Sequence, residues 1–195
     1  VPGGGAAAGS ALAHAAALGS MVVAFSRGKK TFLAHEPLLE EAANRLDEIR
    51  IQALRLADRD AAGFRSLAGL WPLPEDDDER IARWPTAVTG AIAPPRDLVE
   101  LSHDTIAILA RLVGRSSRML RSDLAIAAGF ARLAADAAAW NVRMNLESFG
   151  SLPGRAEEAE TLDSRITLLI DECRRSNRRI DDACHGDGRA TITES

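Results

Sequence analysis

The chain has 195 residues, 46% of them hydrophobic but only 4% aromatic, with no tyrosine and a formal net charge of −4. That length admits one domain with a sizeable core. An acidic balance without a dominant basic patch excludes nucleic acid as the expected partner. Alanine is very abundant, and alanine favours helices, whereas strands want aromatic and β-branched residues.

In chain order, Val1-Pro2-Gly3-Gly4-Gly5 reads as a permissive entry loop. An alanine-rich helix follows to about Ser26, apolar on nearly all sides and therefore central. Gly28 suits its C-cap, and Lys29 and Lys30 suit the negative end of its dipole. A second helix is expected from His35 to Leu70, with Leu38, Leu39, Ala42, Leu46, Ile49, Ala53, Leu56, Ala57, Asp60 and Phe64 at spacings of three and four. Pro72 and Pro74 stop it, and the acidic run Glu75 to Glu79 starts a short third helix. Pro94-Pro95 breaks the chain before a fourth helix, Arg96 to Val113. Ser122 or Asp123 begins a fifth, reaching Phe149, and an amphipathic sixth runs to about Cys184. With no strand signal, the expected fold is all-α, a bundle of about six helices over residues 1–185, with a disordered tail at 186–195.

Cys173 and Cys184 fall on one predicted helix, roughly 16 Å apart at its rise per residue, so they cannot pair within it. Reduced thiols fit a cytoplasmic protein. The run Ala11 to Phe25 is too short and too rich in small residues for a membrane span. Val1 in place of methionine reads as a trimmed start, and no signal peptide remains visible.

No zinc spacing, P-loop, dinucleotide loop or nucleophile elbow occurs. Four scattered histidines give no metal site, and no tightly bound cofactor is expected. Candidate chemistry therefore rests on polar residues inside apolar helices. Gly3, Gly4 and Gly5 precede a helix N-terminus, whose N–H groups can hold an anion or a polar ligand edge; a flexible entry loop would need the same residues. Asp60 lies on the apolar face of its helix, where a carboxylate needs a partner or a task, while Asp58 points to solvent. Ser122-Asp123 fits an N-cap, or a carboxylate facing a pocket from a helix start. Asn141 and Asn145 present two amides on one face, for substrate or for helix–helix hydrogen bonds. Ser10 and His14 form another pair four residues apart, with His14 a candidate acid/base if it is not a satisfied core residue.

Taken together, Pro2-Gly3-Gly4-Gly5, the small-residue helix, Gly28-Lys29-Lys30, Asp58-x-Asp60-x-x-x-Phe64, Leu73-Pro74, Ser122-Asp123 and Asn141-Val-x-x-Asn145-Leu146 resemble one family from Pro2 to about Phe149. It is the family of the cyclodeaminase domain of formiminotransferase-cyclodeaminase, which also holds bacterial methenyltetrahydrofolate cyclohydrolases. The resemblance implies an all-α homodimer with a folate-sized pocket near the subunit interface and a tetrahydrofolate derivative as substrate. It implies ring closure of a formimino adduct with loss of ammonia, or addition of water to a methenyl bridge. Asp60 and Asp123 stand at the family's acidic positions, beside which a planar cationic carbon would be stabilised and protons moved. Lys29 or Lys30 would hold a substrate carboxylate or tune those aspartates. The chain departs from its relatives at Ser10, His14, Arg27, Glu75, Ser116 and Ser117, in or near elements expected to line the pocket, whereas Trp71 keeps the family's aromatic character. The alternative is a repurposed member that condenses an amine with an aldehyde and closes a ring of the Pictet-Spengler type, with His14 as acid/base.

Overall fold

The computed structural model describes residues 3–189, and side chains as far as residue 186. Five long helices account for most of them: α1 (Gly4–Ala24), α2 (Glu36–Ala68), α3 (Asp78–Leu112), α4 (Arg121–Gly150) and α5 (Ala156–Arg189). Short 3-10 turns, Lys30–His35 and Arg118–Leu120, precede α2 and α4. The fold is all-α as expected, with five helices in place of six.

The difference lies in α3, which runs unbroken through Pro85, Pro94 and Pro95. Proline removes a donor and usually kinks or stops a helix. Here both Pro94 and Pro95 are buried, so packing holds the backbone helical. Pro94 cannot donate to the Gly90 carbonyl, and that oxygen faces Gly63 of α2. A Cβ on Gly63 would sit 2.5 Å from it, so only glycine admits this approach of the two backbones. The start of α3 matches its acidic signal: Asp77 Oδ1 accepts from the N–H groups of Glu79 at 2.9 Å and Arg80 at 3.1 Å.

Ser122 and Asp123 do not cap α4. The 3-10 turn feeds directly into the helix, which begins at Arg121 with Leu120 at the N-cap and no side-chain bond there. Asp123 instead sits in the first turn, where the dipole still favours it. Gly28, with φ +69°, turns the chain a few residues beyond the end of α1 rather than capping it directly. Helix α5 continues to Arg189, into the segment expected to be a tail, and residues 190–195 lie outside the described residues, as does Pro2. Cys173 and Cys184 keep reduced thiols, and burial pushes the Cys173 thiol up to about 12.

Helix α1 packs between α2 and α4, with α3 beneath them and α5 against α3 and α4. It runs antiparallel to α4: Gly4 lies beside Asn141, His14 stacks on Phe130, and the Ser26 end meets Ser117. By length and composition alone α1 could cross a membrane, since it has 21 residues with a mean hydropathy of 1.5, but 56% of that stretch is buried inside the fold.

The far end of the α1–α4 pair is pinned by one buried bond, in which the Ser117 N–H donates to Ser26 Oγ at 2.8 Å while Ser26 Oγ donates to the Val22 carbonyl at 2.7 Å. Ser26→Ala strands that N–H away from water. The expected cost is about 1–3 kcal/mol, read as a lower midpoint in urea unfolding with an unchanged m value.

Candidate active site

A pocket of about 320 Å³ opens where the N-terminus of α1, the last third of α2 and the C-terminal end of α4 converge. Its lining is Gly3, Gly4, Asp60, Phe64, Leu67, Trp71, Ala91, Asn141, Met144 and Asn145. Larger surface clefts exist, such as that between α2 and α3 lined by Arg45, Arg55, Arg59, Asp97 and Asp104. That cleft is open and bridged by ion pairs, Arg45 with Asp104 at 3.3 Å among them. Among the described residues, the Asp60 pocket joins apolar walls to converging polar groups and a buried carboxyl whose pKa is raised, the combination that marks a ligand site.

Asp60 forms the floor. It is 9% exposed, on the buried stripe of α2. Its carboxylate lies against the first turn of α1 and accepts the Ala6 N–H, so a helix N-terminus faces it. Burial pushes its pKa above the ordinary 3.8, and the Ala6 hydrogen bond opposes that only in part. A Cβ on Gly5 would fall 2.1 Å from Asp60 Oδ1, 2.3 Å from Cγ and 2.5 Å from Oδ2. The glycines expected in a loop therefore serve as helix residues: Gly3 is the N-cap, while Gly4 and Gly5 form a first turn thin enough to receive the carboxylate. Asp58 is exposed.

The two asparagines stand on the opposite wall. Asn141 Nδ2 donates to the Ala137 carbonyl and Asn145 Nδ2 to the Asn141 carbonyl, both at 2.8 Å. Each amide thus spends a donor on its own helix while its side chain lines the pocket. Phe64 and Trp71 build the rim, edge to face at 5.7 Å and 80°, half exposed at 52% and 54%. Met144, which is 77% exposed, closes the other side. These three apolar residues were missed as site residues in sequence. The available signal was the spacing of Phe64 four residues beyond Asp60, and of Met144 between the asparagines.

The remaining candidates lie elsewhere. Ser10 and His14 are exposed midway along α1. His14 Nδ1 is 2.7 Å from the Ser10 backbone carbonyl, so the Ser10 hydroxyl is not its partner, and its ring stacks on Phe130 at 6.1 Å. Lys29 and Lys30 are exposed beyond the opposite end of α1, with Lys29 Nζ 6.0 Å from the Phe25 ring centroid. Ser122 lines a separate depression of about 620 Å³ with Ile126, Asp181, Cys184 and His185. Arg27 is held by Glu36 at 3.0 Å, and Ser117 bonds Ser26. These side chains are not among those that line the Asp60 pocket, although Ser10 and His14 stand on α1, whose first turn does. Among the described residues no group of His, Cys, Asp and Glu is placed to hold a metal.

A family profile described as formiminotransferase-cyclodeaminase matches residues 1–171. The chain belongs to the formiminotransferase-cyclodeaminase family. It is 24% identical over 180 residues to the formimidoyltransferase-cyclodeaminase of Gallus gallus, a match that takes in 90% of this chain and 32% of the chicken protein, so the chain spans about a third of that relative's length. It is 27% identical over 179 residues to the methenyltetrahydrofolate cyclohydrolase of Methylorubrum extorquens, covering 85% of this chain and 86% of that protein. The crystal structure of a formiminotetrahydrofolate cyclodeaminase from Thermotoga maritima superposes with a TM-score of 0.80 at 24% identity, over 95% of this chain and 88% of that one, and shares the fold. The ring-forming alternative finds no support among these relatives.

Proposed function

We propose that this family member is a folate one-carbon enzyme, a cyclodeaminase or cyclohydrolase acting on the amidine or iminium carbon of a tetrahydrofolate adduct. The observation that carries the reading is the Asp60 carboxylate, buried with a raised pKa beneath an aromatic rim. A flat bicyclic ring fits against Phe64 and Trp71, and the Oδ1 atoms of Asn141 and Asn145 accept its N–H groups. The ionised Asp60 stabilises the cationic carbon. In the hydrolytic direction it takes the proton of the attacking water as the C–O bond forms. It returns that proton to the ring nitrogen as the C–N bond breaks, and the remaining hydroxyl proton leaves to solvent as the carbonyl forms. In the deaminating direction the proton comes from the attacking ring nitrogen and leaves on ammonia. Both reactions balance without a further reactant. The enzyme works as a cytoplasmic homodimer with no tightly bound cofactor.

The direct test is the loss of the methenyl absorbance on incubation with methenyltetrahydrofolate, paired with ammonia release from formiminotetrahydrofolate. Neither signal rising above the uncatalysed rate would remove the proposal. Within it, Trp71→Ala should raise KM roughly three- to tenfold with a smaller change in kcat, because stacking worth about 0.5–1.5 kcal/mol is felt by bound substrate and transition state alike.

A further inference from the structure

Trp71 forms the outer rim of the Asp60 pocket from the turn 69–77 between α2 and α3, where its own packing and backbone bonds hold it weakly. Its ring is 54% exposed and leans on Phe64, itself 52% exposed. Its N–H lies 3.4 Å from the Ala68 carbonyl, long beside the usual limit of about 3.2 Å. Pro72 and Pro74, on either side of Leu73, have no N–H to add to the turn. Holding an exposed side chain in one place costs rotamer entropy, and an indole in such a setting ordinarily moves on a fast timescale.

The polar hold on this turn comes from α3. Arg80 stands in the first turn of that helix, its N–H donating to Asp77 Oδ1 at 3.1 Å. Its side chain, 19% exposed, reaches back seven residues along the chain. Nη1 donates to the Leu73 carbonyl at 2.6 Å, and Nη2 lies 3.7 Å from Glu75. The guanidinium carbon is 4.9 Å from the centroid of the Trp84 ring. Leu73 and Trp84 both pack against the core, so the arginine is braced on fixed ground. A guanidinium suits the place, because its plane lies over a ring while its edge donates. Pro72 contributes a fixed φ between Trp71 and Leu73, so a carbonyl held at Leu73 holds the Trp71 backbone two residues away.

We infer that Arg80 is a positioning residue of the Asp60 site: its clamp on the Leu73 carbonyl holds the Trp71 ring across from Phe64, ready to receive a flat heterocycle. The inference deepens the functional reading above and rests on it. Arg80 is not among the residues that line the pocket, and its donors face the turn, so it acts on the substrate through Trp71 and not by contact. A rim already in place needs no ordering when a ring stacks on it, which is the gain that preorganisation gives to binding. Bound substrate and transition state share that gain. Loss of the clamp therefore falls on KM and spares kcat, whereas loss of the Asp60 carboxyl falls on the chemistry.

Two experiments test it, the first without substrate. The chain has three tryptophans, so Trp84→Phe/Trp140→Phe leaves Trp71 as the one indole, and phenylalanine at position 84 keeps a ring beside the guanidinium. In that background Arg80→Gln should lower the fluorescence anisotropy of Trp71 and raise its quenching by acrylamide, at unchanged far-UV circular dichroism. Unchanged anisotropy and quenching overturn the inference. The second experiment is a double-mutant cycle with methenyltetrahydrofolate as substrate. Arg80→Gln should raise KM about three- to tenfold with kcat within about twofold, as Trp71→Ala does. Arg80→Gln combined with Trp71→Ala should then have a KM within about twofold of Trp71→Ala alone, since the clamp has nothing left to hold. Penalties that multiply would mean that Arg80 acts on the substrate or on the fold at large, and would overturn the inference. If the glutamine variant does not fold, Arg80→Lys takes its place. It keeps a donor within reach of the Leu73 carbonyl but not the planar fork, so both readings should shift the same way by less, and an unchanged Trp71 signal counts against the clamp equally. Failure of the functional reading itself leaves the wild type without turnover while the Trp71 anisotropy still falls in Arg80→Gln.

Discussion

Gly5→Ala should lower the unfolding midpoint and remove activity together. All three terminal atoms of the Asp60 carboxyl lie within 2.5 Å of where the new Cβ would stand, so rotating the carboxyl does not clear the clash and the whole side chain must leave. In an unobstructed helix the same change would stabilise by up to about 1 kcal/mol. Here overpacking costs about 1–3 kcal/mol and wins, giving a Tm lower by about 3–10 °C for a chain of this size. The companion variant Gly5→Ala/Asp60→Ala separates steric from chemical effects. It should recover most of the lost Tm, since the clash is gone, and none of the activity. A Gly5→Ala protein with full activity would mean that the Asp60 carboxyl is not held against the first turn of α1.

Asp60→Asn should behave in the opposite way toward stability. Its Oδ1 can still accept the Ala6 N–H, and the shape is kept, but no charge is buried. The folded-state pKa of Asp60 is raised, so its contribution to stability is complete below the ordinary 3.8 and is lost as pH rises through the folded value. At neutral pH the wild type carries that loss and the amide does not, so the Tm of Asp60→Asn at pH 7 should equal or exceed that of the wild type. The rate should fall by about 10²–10⁴, the usual worth of a positioned proton carrier. The wild-type kcat/KM should also drop on the acid side through a pKa above the ordinary carboxylate value, and that limb should vanish from the residual activity of the amide. A rate within threefold of wild type would assign the chemistry to another group.

Much of this was legible because polar residues in apolar helices announce themselves. Asp60, Asn141 and Asn145 interrupt hydrophobic stripes, and a run of glycines at the start of α1 stands out because each is a poor helix former. The prolines misled, because Pro94 and Pro95 break an isolated helix but not one clamped on several sides. Phe64, Trp71 and Met144 escaped because apolar residues at helical spacing look like core until their exposure is known. His14 looked buried because α1 is apolar all round, and only the packing of α2, α3 and α4 shows which side they leave open. Distances between motifs were out of reach for a simpler reason. Antiparallel helices bring Gly4 beside Asn141 and put Asp123 far from Asn145, and nothing in local spacing records which ends meet.

The central position of α1 has a consequence for biosynthesis. This helix leaves the ribosome about a hundred residues before α4, which at about 5–20 residues per second means roughly ten seconds with only α2 and α3 to cover it. An apolar helix with no charged residue is then exposed to every other nascent chain. A fragment that ends before α4 should aggregate or be held by chaperones, whereas the chain with α4 present should stay dispersed. The residues that make α1 slender enough to sit between three neighbours thus set the moment at which the protein first becomes safe from aggregation.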